Sequence, residues 1–288
     1  MYPESMQTGR HFAILGAILL SLSCGWAVSP SGMTLEQRQG AVFLDSLSIP
    51  CPGEVFAALN KACRPNWATL VTPATAPVTT DRAQLAMAVG VLAADGYIAV
   101  EAQDGQQVKN IGREIIAMAK ALGVSQSLLG RGNSLVEFAD NNAWDALADE
   151  LAATEGEVKS TMMVQKDRDL VLLTSVAAWV RGLEIATRVV LSDDGLRGEE
   201  VIEQPDLAAS LVMMTGNLPA RLAANPRVQQ LKQALATASG LLAKDQPSRE
   251  QRIKNLRSIH EACALATRGI MASAKVNASL TPSSSPVR

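Results

Sequence analysis

The sequence has few aromatic rings and no strong bias of charge. Only 3% of its 288 residues are aromatic, two are histidine and four are cysteine. Lysine and arginine number 26 against 28 acids, for a net charge of −2 and a pI near 5.8. No global field therefore draws the chain onto nucleic acid. The most basic stretch, Arg249, Arg252, Lys254 and Arg257, lacks the interleaved aromatics on which single strands stack, and reads as a solvated helix face. No nucleic-acid partner is expected. Also missing are a glycine-rich phosphate loop, a paired Cys-x-x-Cys, His-Glu-x-x-His and a Gly-x-Ser-x-Gly elbow. The usual supports for kinase, redox and hydrolase chemistry are thus absent, and the sequence assigns no catalytic residue, cofactor or metal site.

Hydrophobic residues make up 48% of the chain, enough for a sizeable core, and they are chiefly Ala, Leu, Val, Ile and Met. Long β-branched alternations are lacking, so the expected class is all-α, with Ala-lined helix contacts. The expected architecture is a multi-helix bundle of about six to eight helices over 79–276, preceded by a small helical appendage at 28–78.

The N-terminal residues read as an address. Arg10 and His11 precede an uncharged apolar run, Phe12 to Leu22, and then Ser23-Cys24-Gly25. That is the layout of a secretory signal over 1–27, and the run is short for a bilayer span, which takes about 20 residues. Starting at Met6 rather than Met1 removes Glu4 and leaves a cleaner basic opening. Cys24 stands where a bacterial lipoprotein carries its lipid, but Ser21 occupies the place where Leu is usual. Lipid attachment at Cys24 and ordinary cleavage after Gly25 or Ala27 remain open alternatives. The expected location is the periplasm, or a tether at the outer membrane, of a Gram-negative bacterium. Membrane contact is expected only through the leader or a lipid anchor.

Along the rest of the chain, Thr34 with Gln37 makes a capping-box pattern for a first helix ending near Ser48. Pro50-Cys51-Pro52-Gly53 is a turn, Glu54 to Ala62 a second short helix, and Thr72 to Thr80 a Pro/Thr linker. Helices follow over Asp81–Ala94, Tyr97–Leu122, about Asn133–Asp140, Asn142–Gln165 and Asp169–Leu191, with Asp95-Gly96 read as a turn. The 169–191 helix is apolar almost all round, as a central buried helix should be. Gln204-Pro205, Asn225-Pro226 and Ser248 with Gln251 open three more, the last reaching about Ala274. The Pro/Ser-rich tail, 277–288, is expected to be disordered.

Four sets of residues invite a chemical reading. Glu101 and Asp104 fall in step with Val108, Ile111 and Ile115, while Arg181, Glu184 and Arg188 share one face of the apolar helix. Buried charges are costly alone, so these five are expected to pair as a buried ion-pair network, Glu101 or Asp104 with Arg181 or Arg188 and Glu184 bridging within its own helix. Cys51 and Cys63 bracket a short helix, and an exported setting permits a disulfide between them, which spacing alone does not decide. His260 and Cys263, at i and i+3, read as a packed core pair rather than metal ligands. Asp193-Asp194-Gly195 reads as a helix-ending turn, since no calcium-loop pattern follows.

The segments Val100-Glu101-Ala102-Gln103-Asp104, Ala119-Lys120-Ala121-Leu122-Gly123 and Ala178-Trp179-Val180-Arg181-Gly182 resemble a group of uncharacterised exported helical proteins of Gram-negative bacteria. The resemblance covers about residues 85–275. It implies an exported, all-α protein and carries no activity. The expected function is a non-enzymatic exported helical protein, free or membrane-tethered, that binds a partner protein or envelope component. The alternative is an envelope enzyme or small-ligand binder using a buried Glu101/Asp104/Arg181 site. A third, structural reading is an envelope scaffold that self-associates.

Overall fold

The computed structural model describes residues 42–44, 47–124, 128–243 and 248–273. The leader with Cys24, the capping box at Thr34 and the tail 277–288 lie outside the described residues. Among the described residues the fold is all-α apart from one short strand pair, in which β1 (Val42–Leu44) pairs antiparallel with β2 (Leu47–Ile49). The helix expected to run to Ser48 is not present there. Val42-Phe43-Leu44 and Leu47-Ser48-Ile49 are rich in residues that favour strands.

The helices follow as α1 (Pro52–Cys63), α2 (Arg82–Glu101), α3 (Gly105–Ala121), α4 (Leu128–Asp140), α5 (Trp144–Val164), α6 (Arg168–Ser192), α7 (Glu199–Ile202), α8 (Pro205–Gly216), α9 (Ala220–Ala223), α10 (Pro226–Leu242) and α11 (Arg249–Met271). One 3₁₀ turn, Trp67–Thr69, follows α1. Among the described residues ten helices follow residue 81, slightly more than the six to eight expected, and two of them, α7 and α9, have only four residues; the all-α class is as expected. Side-chain caps stand where polar residues precede the apolar runs. Asp81 accepts from the Ala83 and Gln84 amides, Asn225 from Arg227 and Ser248 from Gln251.

At the centre α2 packs along α6. Each is long and apolar enough to cross a membrane by length and composition, yet the most apolar 18-residue stretch of each is wholly buried in the bundle. Their backbones approach closely at Gly90, where an added Cβ would lie 2.1 Å from the Thr174 carbonyl oxygen. Thr174 Oγ1 in turn donates to Ala86 O at 3.0 Å. The other helices wrap this pair, α3 and α5 against α2, α1 and α11 against α6, with α10 bridging α11 and α8. Gln84, fully buried on α2, donates to the Ile270 and Ala272 carbonyls, satisfying the C-terminal end of α11. Residues 49–70 are part of the same core, contributing Ile49, Cys51, Phe56, Leu59, Trp67 and Leu70. The linker runs against the bundle too. Gln107 donates to Thr72 O, and the Val78 amide to Ser273 Oγ.

Helix α2 runs through Asp95-Gly96 without a break, against the turn expected there. Gly96 lies so close to Leu151 that an added Cβ would be 2.7 Å from a leucine methyl, and Asp95 is held by an ion pair described below. The break comes instead at residues 102–104, where Gln103 takes a left-handed backbone (φ 56°).

Candidate functional site: the buried charges

Among the described residues two buried charge clusters form, and neither is the five-residue set expected. On α6, Arg181 Nε lies 2.8 Å from Asp95 Oδ1 of α2, and its Nη1 lies 2.7 Å from Glu184 Oε1 one turn along. All three side chains are nearly sealed from water. The bridge within α6 is as expected, but the partner across the seam is Asp95. Burial pushes the Asp95 carboxyl above its ordinary range, against the pull of Arg181 and a hydrogen bond from Thr72. The two acids in turn raise the Arg181 guanidinium, outweighing the lowering effect of burial.

The other expected members stand elsewhere. Glu101 is half-buried at the end of α2, where it accepts from Asn60 Nδ2. Asn60 Oδ1 accepts from Trp67 Nε1 at 2.6 Å, so the chain of bonds ties α1 and the 3₁₀ turn to α2. Burial raises the Glu101 carboxyl. Asp104 caps α3, accepting from the Gln107 amide at 2.9 Å. Arg188 is exposed. The chain break at 102–104 explains the failure of the pattern, because it resets the helical phase between Glu101 and the Val108–Ile115 stripe.

The second cluster escaped the sequence reading. Cys51 starts α1, and Glu54 in its first turn interacts with the Cys51 thiol and backbone N–H. Tyr97 of α2 lies beneath, its ring 2.8 Å from where a Cβ on Gly53 would stand. From α5 come Glu155 and Lys159, paired at 2.6 Å with side chains 1% and 7% exposed. Burial, reinforced by Glu54 and Glu155, pushes the Cys51 thiol up to about 12. Burial also raises Tyr97, chiefly, and Glu54. A buried Glu–Lys pair at i, i+4 was in principle legible in Glu155 and Lys159, but both types usually signal an exposed face.

The disulfide is not formed. Cys51, Cys63 and Cys263 are all free thiols. Cys51 and Cys63 lie at opposite ends of the 12-residue α1. At 1.5 Å per residue that is about 18 Å, far beyond the span of a disulfide. Cys263 is fully buried. His260 is half-buried one turn before it, with Nδ1 3.0 Å from Glu184 O. Asp193 ends α6, as expected. Its carboxylate takes the Arg197 guanidinium and the Gly195 and Arg197 amides, bonds that hold it down at about 2.

Among the described residues no group of three His, Cys, Asp or Glu is placed to hold a metal ion. The basic stretch of α11 is divided. Arg249 donates to Asp194 O and Arg252 pairs with Glu199, while Lys254 and Arg257 line an open trough of about 800 Å³ with Arg249, Glu250, Ile253, Ser258 and Glu261. A second depression, of about 330 Å³, lies where the starts of α2, α6 and α10 converge, around Asp81, Arg82, Asp167 and Asn225. No family model matches the chain, and neither the curated proteins nor the solved structures searched contain a match.

Proposed function

We propose that this is an exported helical protein, carried out by its leader, that acts by binding a partner protein or envelope component. The observation that supports binding is a contrast between two kinds of charge. The buried charges are spent on one another, Asp95 and Glu184 on Arg181 and Glu155 on Lys159, in seams that hold helices together. The charges of the α11 trough have both signs, surround the half-buried Ile253, and face outward. A wide, open surface of mixed charge fits a polypeptide better than a small molecule, which takes an enclosed cleft. The site named for catalysis, Glu101 and Asp104 with Arg181, is not assembled, and nothing else favours that reading.

The test is made in cells expressing the full chain, fractionated after crosslinking. A photoreactive side chain at Arg257 or Ser258 should give a discrete crosslinked band in the envelope fraction, and one at Lys120, on α3, should not. Mass spectrometry of the mature N-terminus, with Cys24→Ala alongside, decides the tether: an acylated Cys24 establishes it, and a start at Trp26 or Val28 rules it out. Recovery of the protein uncleaved in the cytoplasm, with no position-dependent crosslink, would sink the proposal.

A further inference from the structure

The two ends of the bundle differ in charge. At one end the starts of α2, α6 and α10 meet the ends of α3, α5 and α11. Arg82 pairs with Asp167 and donates to Leu122 O, Gln165 donates to Gly123 O, and Asn225 donates to Asp81. The Val78 amide reaches Ser273 Oγ, and Arg227 reaches the Gly269 and Ala272 carbonyls. Over the segments so joined, 78–83, 120–124, 163–170, 217–227 and 269–273, six cations stand against three acids. The cations are Arg82, Lys120, Lys166, Arg168, Arg221 and Arg227, and the acids are Asp81, Asp167 and Asp169. At the opposite end Asn60 meets Glu101, Gly105 lies against Ala139 and Trp144, Arg249 reaches Asp194 O and Arg252 pairs with Glu199. There, over 60–64, 101–105, 140–145, 193–206 and 249–254, acids outnumber cations eleven to six.

The basic end also carries exposed apolar side chains. Among the described residues six large apolar side chains are well exposed, and three of them, Val78, Met163 and Val164, stand here. Val164 is 82% exposed and Val78 71%, more than any of the others. Val164 closes α5, and Lys166, two residues on, turns the chain with a left-handed backbone (φ 64°), so valine and lysine share one tip. Asp81 is taken up in capping α2 and Asp167 in pairing with Arg82, which leaves Lys120, Lys166 and Arg221, all exposed, to act outward. Scattered singly, exposed valines need no explanation, but beside a set of cations they make the pattern of a surface that enters a lipid interface.

We propose that this end of the bundle docks on an anionic lipid surface, with Val78, Met163 and Val164 entering the headgroup layer and the cations against lipid phosphates. Each lysine or arginine near an anionic bilayer adds attraction, and shallow apolar insertion adds to it. A headgroup layer yields around separated apolar tips, whereas a protein partner needs a continuous, shaped apolar core. The acidic end then points away from the membrane, whose own charge repels it. The docking rests neither on the leader nor on the α11 trough, which begins at the opposite end.

The full-length chain is mixed with vesicles of phosphatidylcholine alone or with about one-third phosphatidylglycerol, and the bound fraction is read by sedimentation. The leader is common to every variant and cancels between them. The wild type should bind the anionic vesicles at least about tenfold more tightly than the neutral ones, and the difference should shrink as salt is raised. Lys120→Gln with Lys166→Gln should weaken binding about fivefold for each cation. Val78→Ser with Val164→Ser should weaken it about tenfold. Lys254→Gln, at the opposite end, should change nothing. All five positions are exposed, and thermal unfolding checks that each variant is folded. In the wild type alone, hydrogen exchange at 76–80 and 163–167 should slow on anionic vesicles, while that at 249–254 should not. Equal binding to the two vesicles, a loss at Lys254→Gln as large as that of the lysine pair, or exchange that slows only at 249–254 would overturn the proposal. If the valines prove silent and heparin binds as tightly as the vesicles, the end is a plain polyanion site and the proposal falls, with the crosslink expected at Arg257 untouched.

Discussion

Arg181 Nε on α6 stands 2.8 Å from Asp95 Oδ1 on α2, so the two central helices are joined by an ion pair in the same seam where Gly90 meets Thr174. Arg181→Leu strands two buried carboxylates, Asp95 and Glu184, and should cost about 3–5 kcal/mol. Asp95→Asn keeps the shape and the Arg181–Glu184 pair, and should cost about 1–2 kcal/mol. Asp104→Asn, where either residue can cap α3, should cost a few tenths at most, about 0.3 kcal/mol. Urea unfolding midpoints rank the three. Equal effects of Arg181→Leu and Asp104→Asn would mean that the ion pair does not hold the seam.

The same carboxyl gives a pH dependence. Because burial raises Asp95, its contribution to stability is fully present below its ordinary value of 3.8 and is lost as the pH rises through the folded one. Asp95→Asn should therefore gain on the wild type in unfolding midpoint from acid to neutral pH. The opposite trend would show that the attraction of Arg181 outweighs the burial.

Glycines separate by what surrounds them. An alanine Cβ at Gly90 meets backbone on α6, which cannot swing aside, so Gly90→Ala should cost about 1–3 kcal/mol or more. Gly240, exposed within α10, has nothing within 4 Å, and Gly240→Ala should stabilise by about 0.5–1 kcal/mol. Thermal unfolding measures both, and a neutral Gly90→Ala would refute the close approach.

Free thiols make the fold indifferent to reductant. A disulfide contributes about 2–4 kcal/mol, so dithiothreitol would lower Tm by several degrees if Cys51 and Cys63 were joined. With both free, the melting curve should not move, and the denatured chain should titrate with Cys51, Cys63 and Cys263 all reactive.

Asp81 joins two helix starts, capping α2 with Oδ1 while Oδ2 accepts from Asn225 Nδ2 at 2.5 Å. Asp81→Ala should cost about 1–2 kcal/mol, at the upper end of a lost cap because the Asn225 amide also loses its partner. Asp81→Ser keeps a cap and should recover most of the loss, a rescue read from paired denaturation curves.

The legible parts of this fold were those governed by neighbours in sequence. The Asn225-Pro226 start, the Ser248 cap and the all-round apolar α6 were expected and are present, because capping and helical periodicity act within a turn or two. The errors share one origin. Asp95-Gly96 has the composition of a turn, and reading it so hid the residue that pairs with Arg181. In the fold, Leu151 needs the space above Gly96 and Arg181 needs the charge of Asp95, and together they hold the helix through both residues. Glu101 and Asp104 were assigned to the interior by a periodicity that Gln103 interrupts with its left-handed turn.

By itself, then, the sequence determined an all-α chain, where most of its helices begin, and which helix is buried at the centre. These follow from propensity, capping and apolar spacing, which are short-range properties of the chain. Only the tertiary structure decided which charges meet across helices, Asp95 rather than Glu101 with Arg181, and that the i, i+4 pair of Glu155 and Lys159 lies buried rather than on an exposed face. A buried charge takes the partner that packing brings within about 3 Å, and residues as far apart as 95 and 181 are brought there by the docking of whole helices.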